Sequence, residues 1–567
     1  METAAGAGSR EPGAGSREPG AGEPGSKSVL FAVRSAVALH RLLDVLPVFQ
    51  GDHRIRRRFT LTPGSDFGID ALAVLEAAGA RTVPWRTALG TTYDLIVAAS
   101  PKGPLDRLRG PLVLLPHGAG FNKTVSGEGA QDSASGLDPA YLIRDGRPLA
   151  ALHAFAHPGQ TARLAERCPQ VADRVAVVGD PTLDRVLDSR TLRDRYRTAL
   201  GTGDRRLVVL LSTWGPESLL ARRPTLPEEL CHELPVDEYQ LALIAHPNAH
   251  SDPGSFELAE RLPREVVLAR PHEEWAAVLV ASDAVISDHG STALYAAALD
   301  RPVVGAYDGG TELLAGTPMH RLLGSVPRLR APGELGAALD AHRPGVPSAA
   351  ARTAFDTALR GRALERLREE LYGRLGIEPR TPAPVPRLLP VPRPPVDPLP
   401  AVHGVRVEVA GDLLSVERRP ARADGPPPHH LAAEADAAGA RAVESAGLLY
   451  RTSPGDAPGL WLPGEWTAEA LARHPGCRTA GVILSPDRCL VRRRAAPDTV
   501  LESRVEPVRE GDRLLLPDPA AILSAVHALP DAAFAGAVHT DFGCRVGPRT
   551  YRVRLRRAPA TTPSTTP

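Results

Sequence analysis

Two consecutive series of short, unbroken apolar runs constrain this chain most. The first is SVLFAVR, RRFTLTPG, YDLIVAAS, PLVLLPHG and RVAVVGDP; the second is RLVVLLSTWG, YQLALIAHPN, VVLARPHEEW, AVISDHG and PVVGAY. A strand with one wet face alternates apolar and polar residues, whereas a strand covered on both faces reads as a continuous apolar run. Helix-like segments such as FGIDALAVLEAAG separate the runs. The expected fold class is therefore α/β, with two doubly wound, Rossmann-like domains facing each other across a cleft. They are expected over residues 28–203 and 204–376, with a long polar helix at Leu183 to Leu200 and a closing helix from about Ala350 to Leu375.

The flanks read differently. Residues 1–27 carry GAGSREP twice in tandem, at Gly6 and Gly13, and lack the apolar content for a core, so disorder is expected. Residues 377–402 are dense in proline and predict an extended, semi-rigid linker. Residues 403–558 predict a separate α+β domain. Its expected hairpins are VRVEVAGDLLSVERR, AGVILSPDRCLVRRR and CRVGPRTYRVRLRR; its expected helices are HLAAEADAAGARAVESAG and DPAAILSAVHAL. Residues 559–567 are a loose tail.

Composition narrows the function classes. Lys+Arg is 67 and Asp+Glu is 66, a balance that gives no support to nucleic-acid binding. Lysine is confined to Lys27, Lys102 and Lys123, a bias of GC-rich coding as in an actinobacterium. The five cysteines lack a C-x-x-C pair, which suggests neither a disulfide framework nor a zinc site. No run reaches the ~18 apolar residues of a membrane span, and the N-terminus lacks a signal-peptide core. Cytoplasmic residence is the expectation, with peripheral contact at the inner face of the cell membrane left open. Arg54 to Arg58 is the best basic surface for such contact, and reads more simply as a solvated strand edge.

Ligands of open α/β sheets bind beyond the carboxyl ends of strands. In the first half, His117, Gly118 and Lys123 follow PLVLLP. In the second, Ser212-Thr213 follow VVLL, His246 and Asn248 follow LALIA, and Ser287-Asp288-His289-Gly290-Ser291-Thr292 follow AVI. Singly, each has an ordinary structural reading: a helix cap, a strand terminator, a turn. Together they put hydroxyls, imidazoles and glycines on one rim, which suits a diphosphate. His117 is suited to take a proton from an attacking hydroxyl, and His246 to neutralise charge on a leaving phosphate. GAGFNK is not a Walker loop, and neither a cofactor nor a metal site is expected.

In order, PHGAGFNK, VGDPTLDRV, STWGPESL, AHPN and SDHGSTALYAAALDRPV resemble the CDP-glycerol glycerophosphotransferase family, the teichoic-acid polymerases and primases of GT-B fold. The resemblance implies transfer of glycerol phosphate, or a related polyol phosphate, from a CDP-linked donor to a hydroxyl acceptor in cell-envelope polymer synthesis. By the same resemblance His117 is the general base, while His246, Ser287, Asp288, Ser291 and Thr292 contact the donor phosphates. The chain departs from the family pattern at Pro116, at His289-Gly290 and at Tyr295, where members carry an acidic residue. A GT-B glycosyltransferase or epimerase using a UDP- or GDP-sugar, and a non-catalytic nucleotide-binding scaffold, are the alternative readings.

Overall fold

The computed structural model describes residues 26–558 apart from 65–74, 76–78, 117, 126–129, 131–132, 252–254, 271–272, 394–399, 422–426, 454–461 and 535–538. The tandem repeat, the tail, His117 and nearly all of FGIDALAVLEAAG therefore lie outside the described residues.

The first series of apolar runs forms strands β1 (Lys27–Val33), β2 (Ile55–Leu61), β3 (Leu95–Ala98) and β4 (Leu112–Leu114). A small ribbon of β5 (Ile143–Arg144) and β6 (Arg147–Pro148) follows, then β7 (Leu152–Phe155) and β8 (Val175–Val177). The sheet order is β2-β1-β3-β4-β7-β8, every pair parallel. Strand β7, sequence LHAF, is too short and too mixed to stand out among the runs. The second series forms β9 (Arg206–Ser212), β10 (Tyr239–Ala245), β11 (Val266–Leu268), β12 (Ala284–Ser287) and β13 (Val303–Gly305), in the all-parallel order β11-β10-β9-β12-β13. In each sheet the order reverses direction once, between β1 and β3 in the first and between β9 and β12 in the second. Those two places are the topological switch points where such sheets bind ligands.

Packing does not follow the expected division at residue 203. Leu183, Val186, Tyr196 and Leu200 pack with Leu207 and Val209 of the second sheet. The expected long helix there is broken into Pro181–Asp188 and Arg193–Ala199 by a 3-10 turn. The closing helix, Ala363–Leu375, leaves the second half altogether. Its Leu364, Leu367, Leu371 and Tyr372 pack into the first core with Phe31, Leu39 and Phe49. The chain thus crosses between the halves twice, and each crossing ties one core to the other.

The proline-rich stretch is a strap rather than a free spacer. Leu389 is buried in the second core; its carbonyl accepts from Tyr196 Oη at 2.7 Å and its N–H donates to Ser189 Oγ at 2.9 Å.

Beyond the strap, nine strands close into a barrel. They are β14 (Val402–Ala410), β15 (Leu413–Pro420), β16 (His430–Glu434), β17 (Leu448–Thr452), β18 (Thr479–Ser485), β19 (Arg488–Arg493) and β20 (Ala496–Val505), then β23 (His539–Val546) and β24 (Arg549–Arg557). The ribbon of β21 (Val508–Glu510) and β22 (Arg513–Leu515) lies outside it. The three expected hairpins are present. The segment HLAAEADAAGARAVESAG differs from expectation: it opens as strand β16, and only Ala440–Ser445 is helical. The expected helix Pro519–Ala528, apolar on all sides, is buried from Ala520 to His527 and packs against β14, β15, β17, β18, β19 and β23. Closure removes the exposed edges that an open sheet would present.

The barrel is held at the amino-terminal ends of β9 and β10. Arg418, 1% exposed, pairs with Asp237 at 2.5 Å and with Asp518 at 2.7 Å, and Arg513 pairs with Asp204 at 2.8 Å.

Candidate functional site

Both switch points open onto one cavity of about 440 Å³ between the two halves. From the second sheet it is lined by Ser212, Thr213 and His246, and by Asp288, His289 and Gly290 with Ser291 and Thr292 beyond them; from the first by Gly118 and Lys123. Gly118 and Ser291 approach closely: a Cβ added to Gly118 would stand 3.1 Å from Ser291 Oγ.

Asp288 organises the second-sheet rim from within. It is fully buried, and its Oδ2 accepts from the N–H groups of Thr213 at 2.8 Å and Leu219 at 2.7 Å, while Oδ1 accepts from Gly290 at 2.8 Å. Burial pushes its carboxyl above the ordinary value, and His289 and these three donors pull it down. One side chain thereby fixes the loops after β9 and β12 against each other. With both oxygens occupied, Asp288 is committed to holding these loops. Ser287 is equally buried, its hydroxyl donating to the Asp288 carbonyl at 2.9 Å, and it is not among the lining residues. Ser287 thus stands behind the rim, while Asp288 lines the cavity with its carboxylate committed to backbone donors.

His246 sits at the end of β10 with its N–H on the Ser212 carbonyl. Its Nδ1 accepts from Asn248 N–H at 3.1 Å, so in the neutral ring the proton resides on Nε2, a donor. The Trp214 ring lies 6.1 Å from the imidazole centroid. Ser212 Oγ serves the loop itself, donating to Thr213 O at 3.1 Å and accepting from Leu220 N–H at 3.3 Å.

The other basic groups of the rim join the halves. Lys123 Nζ reaches Glu312 Oε2 at 3.3 Å and the Trp214 carbonyl at 3.4 Å. The same Glu312 oxygen meets His289 Nε2 at 3.2 Å, and His289 Nδ1 meets Tyr307 Oη at 2.9 Å. Burial lowers the pKa of His289. Glu312 is held in turn by Glu217, whose carboxylate accepts its N–H at 2.9 Å. Thr124 N–H donates to the Glu312 carbonyl at 2.9 Å, so backbone also bridges the two halves.

A second cross-linking group lies deeper. Tyr295 Oη donates to Asp180 Oδ2 at 2.9 Å and accepts from Arg41 Nη2, while Arg41 Nη1 reaches Asp180 Oδ1 at 3.2 Å. Burial alone would lower the Arg41 pKa, but Tyr295 and Asp180 raise it above its ordinary value. The expected packing helix, Thr292–Ala298, is buried from Ala293 onward and also delivers this hydroxyl to the first half. At the position where the resembled family carries an acid, Tyr295 binds an acid of the facing half.

On the first-sheet side of the cavity the sequence signals noted above reach only Gly118 and Lys123, beyond β4, and miss the two strands of the switch point. Arg34 and Ser35 follow β1, and Ser100 and Lys102 follow β3, the two strands of that switch point; all four line the cavity. The signal was there, because both pairs directly follow apolar runs. His117, between Pro116 and Gly118, lies outside the described residues. Among the described residues no group of three or more His, Cys, Asp or Glu is placed to hold a metal ion. Within the same residues no helix is long and apolar enough to cross a membrane.

This geometry defines a protein with two parallel α/β sheets and a cavity at their facing switch points. No protein-family model and no curated protein matches the chain. Among solved structures it is similar to the wall teichoic acid polymerase TagF, at 15% identity over 62% of this chain and 89% of that one, with a TM-score of 0.44. It is also similar to Anabaena Alr3699/HepE in complex with UDP-glucose, at 16% identity over 60% of this chain and 100% of that one, with a TM-score of 0.38.

Proposed function

We propose that this chain is a transferase of GT-B type that takes a nucleotide-diphosphate-linked donor, of the CDP-glycerol class, in the cleft between its two sheets. The observation that carries the reading is the meeting of both switch points on one cavity lined by hydroxyls, imidazole and close-approach glycines. The ordered motifs supply the donor class. In the proposed step an acceptor hydroxyl oxygen attacks the donor's distal phosphorus. The bond from that phosphorus to the bridging oxygen breaks, and CMP departs with the bonding electron pair. The acceptor proton passes to His117. Nε2–H of His246 donates to the leaving phosphate, and the hydroxyls of Thr213, Ser291 and Thr292 hold the diphosphate. The cell-envelope acceptor belongs to the same proposal.

Thermal unfolding of the full chain with CDP, CMP, UDP and GDP tests the donor class. A ligand at about 100 times its Kd stabilises a fold by ~2.7 kcal/mol. Stabilisation by the cytidine nucleotides is expected; stabilisation by UDP or GDP alone would move the reading to a sugar nucleotide. His246→Ala is expected to lower CMP release from CDP-glycerol by roughly 100-fold while nucleotide still stabilises the variant. Full transferase activity in His117→Ala would remove the base from the scheme.

A further inference from the structure

On the far side of the first helix, Ala36–Val45, lies a second cavity of about 830 Å³. Its lining is rich in arginine: Arg56, Arg57 and Arg58 of the edge strand β2, Arg81, and Arg387 from the proline-rich strap. Among the described residues none of these five guanidinium groups is in an ion pair. The acids that line the cavity, Asp44 and Glu273, are both taken by Arg185, at 2.9 and 2.8 Å. His40, Leu43, Asp44, Arg185 and Glu273 line both this cavity and the donor cleft, so the two share a wall.

The strap completes the site. Arg185 Nε donates to the Arg387 carbonyl at 2.7 Å, which fixes the strap at this point and leaves the Arg387 side chain exposed beside the cavity. Proline on both sides of the segment keeps the backbone extended and restrains where that guanidinium can go. An edge strand commonly carries charge to prevent pairing with another chain. Three consecutive arginines, whose side chains alternate between the two faces of the strand, and two more from distant segments line this one concavity with positive charge. Guanidinium forks match phosphate oxygens in pairs, and their charge is compensated by a dianion.

We infer that this arginine-lined cavity is a second binding site, for a phosphate-bearing acceptor, which approaches the shared wall from the side opposite the nucleotide-linked donor. The inference rests on the proposed transferase reading for the word acceptor; the anion site itself does not.

The test uses the full chain and inorganic pyrophosphate as probe, by isothermal titration calorimetry with the cleft saturated by CDP. Pyrophosphate is expected to bind one-to-one in the presence of CDP. The double variant Arg57→Ala/Arg387→Ala is expected to bind it at least about tenfold more weakly, with CDP affinity changed less than about twofold. Unaltered thermal unfolding of the variant shows that the fold is retained; Arg57→Gln/Arg387→Gln, which keeps side-chain length, serves if the alanine pair unfolds early. A second arm measures co-sedimentation with phosphatidylglycerol vesicles at 0.15 M salt. Sedimentation that the variant loses assigns the phosphate to a lipid headgroup; pyrophosphate binding without sedimentation assigns it to a soluble acceptor. Pyrophosphate binding that CDP abolishes, or that the variant retains in full, overturns the inference. Failure of CDP itself to bind counts against the transferase reading alone, because pyrophosphate and the arginine variants still report on the second cavity.

Discussion

Replacing Asp288 by asparagine probes the rim most sharply. The carboxylate accepts three backbone N–H groups, two on Oδ2 and one on Oδ1, with no water-exposed surface. An amide has a single acceptor oxygen. Placed at the Oδ2 position, it keeps Thr213 and Leu219 and turns an NH₂ toward the Gly290 N–H; flipped, it loses both of the others. The better orientation loses one charge-assisted hydrogen bond, worth about 1.5–3 kcal/mol, and reduces two others to neutral strength. Relief of the buried charge offsets part of that, leaving a net cost of about 2 kcal/mol. For a unit of ~150–250 residues each kcal/mol lowers Tm by about 2–4 °C, so a fall of roughly 4–8 °C is expected by scanning calorimetry. Hydrogen exchange followed by mass spectrometry is expected to speed up in the peptides spanning 213–219 and 290. Asp288→Ala, which orphans all three donors, should fall further. An Asp288→Asn protein within about 1 °C of the parent, with unchanged exchange there, would refute the claim that this carboxylate holds the two loops together.

Three further outcomes follow from the same contacts. Tyr295→Phe removes the hydroxyl between Arg41 and Asp180 and is expected to cost about 1.5–3 kcal/mol in chemical denaturation, as for hydrogen bonds to charged groups. Asp184 accepts the N–H groups of Gly361 and Ala363 at the start of the crossing helix, and burial raises its pKa to about 6. The folded state therefore holds the proton more tightly than the unfolded one. Stability should decline as pH rises from about 4 toward 6 and level off above it, and the difference between parent and Asp184→Asn should change across that window. Arg418→Ala leaves Asp237 and Asp518 without their cation, at an expected cost of about 3–5 kcal/mol. Scanning calorimetry should then resolve a separate, earlier barrel transition; a single unshifted transition would contradict the docking role.

The apolar runs made the two parallel sheets legible because continuous burial on both faces leaves no other pattern. The strand-end rule placed Thr213, His246 and Ser291 on one cavity for the same reason. Applied to SVLFAV and LIVAA as well, it would have reached Arg34, Ser35, Ser100 and Lys102. What stayed hidden depends on long-range packing. Local periodicity does not say which core the leucines of Ala363–Leu375 enter, or that a proline-rich segment lies back along the halves it leaves. The barrel was legible as hairpins only. Its closure runs through the parallel pairs β15–β23, β16–β17 and β17–β18, which no turn signal announces. Asp288 is a phosphate contact only by the family resemblance; two of the three N–H groups it accepts come from a loop 75 and 69 residues earlier in the chain, which no local pattern announces.

The most direct test of the cleft as donor site is a crystal structure of the full chain soaked with CDP-glycerol. The diphosphate is expected between Thr213, His246 and Ser291, with His246 Nε2 within hydrogen-bond reach of a phosphate oxygen and the distal phosphorus turned toward the first half. Density for the nucleotide outside this cleft, or an empty cleft at saturating ligand, would contradict the account.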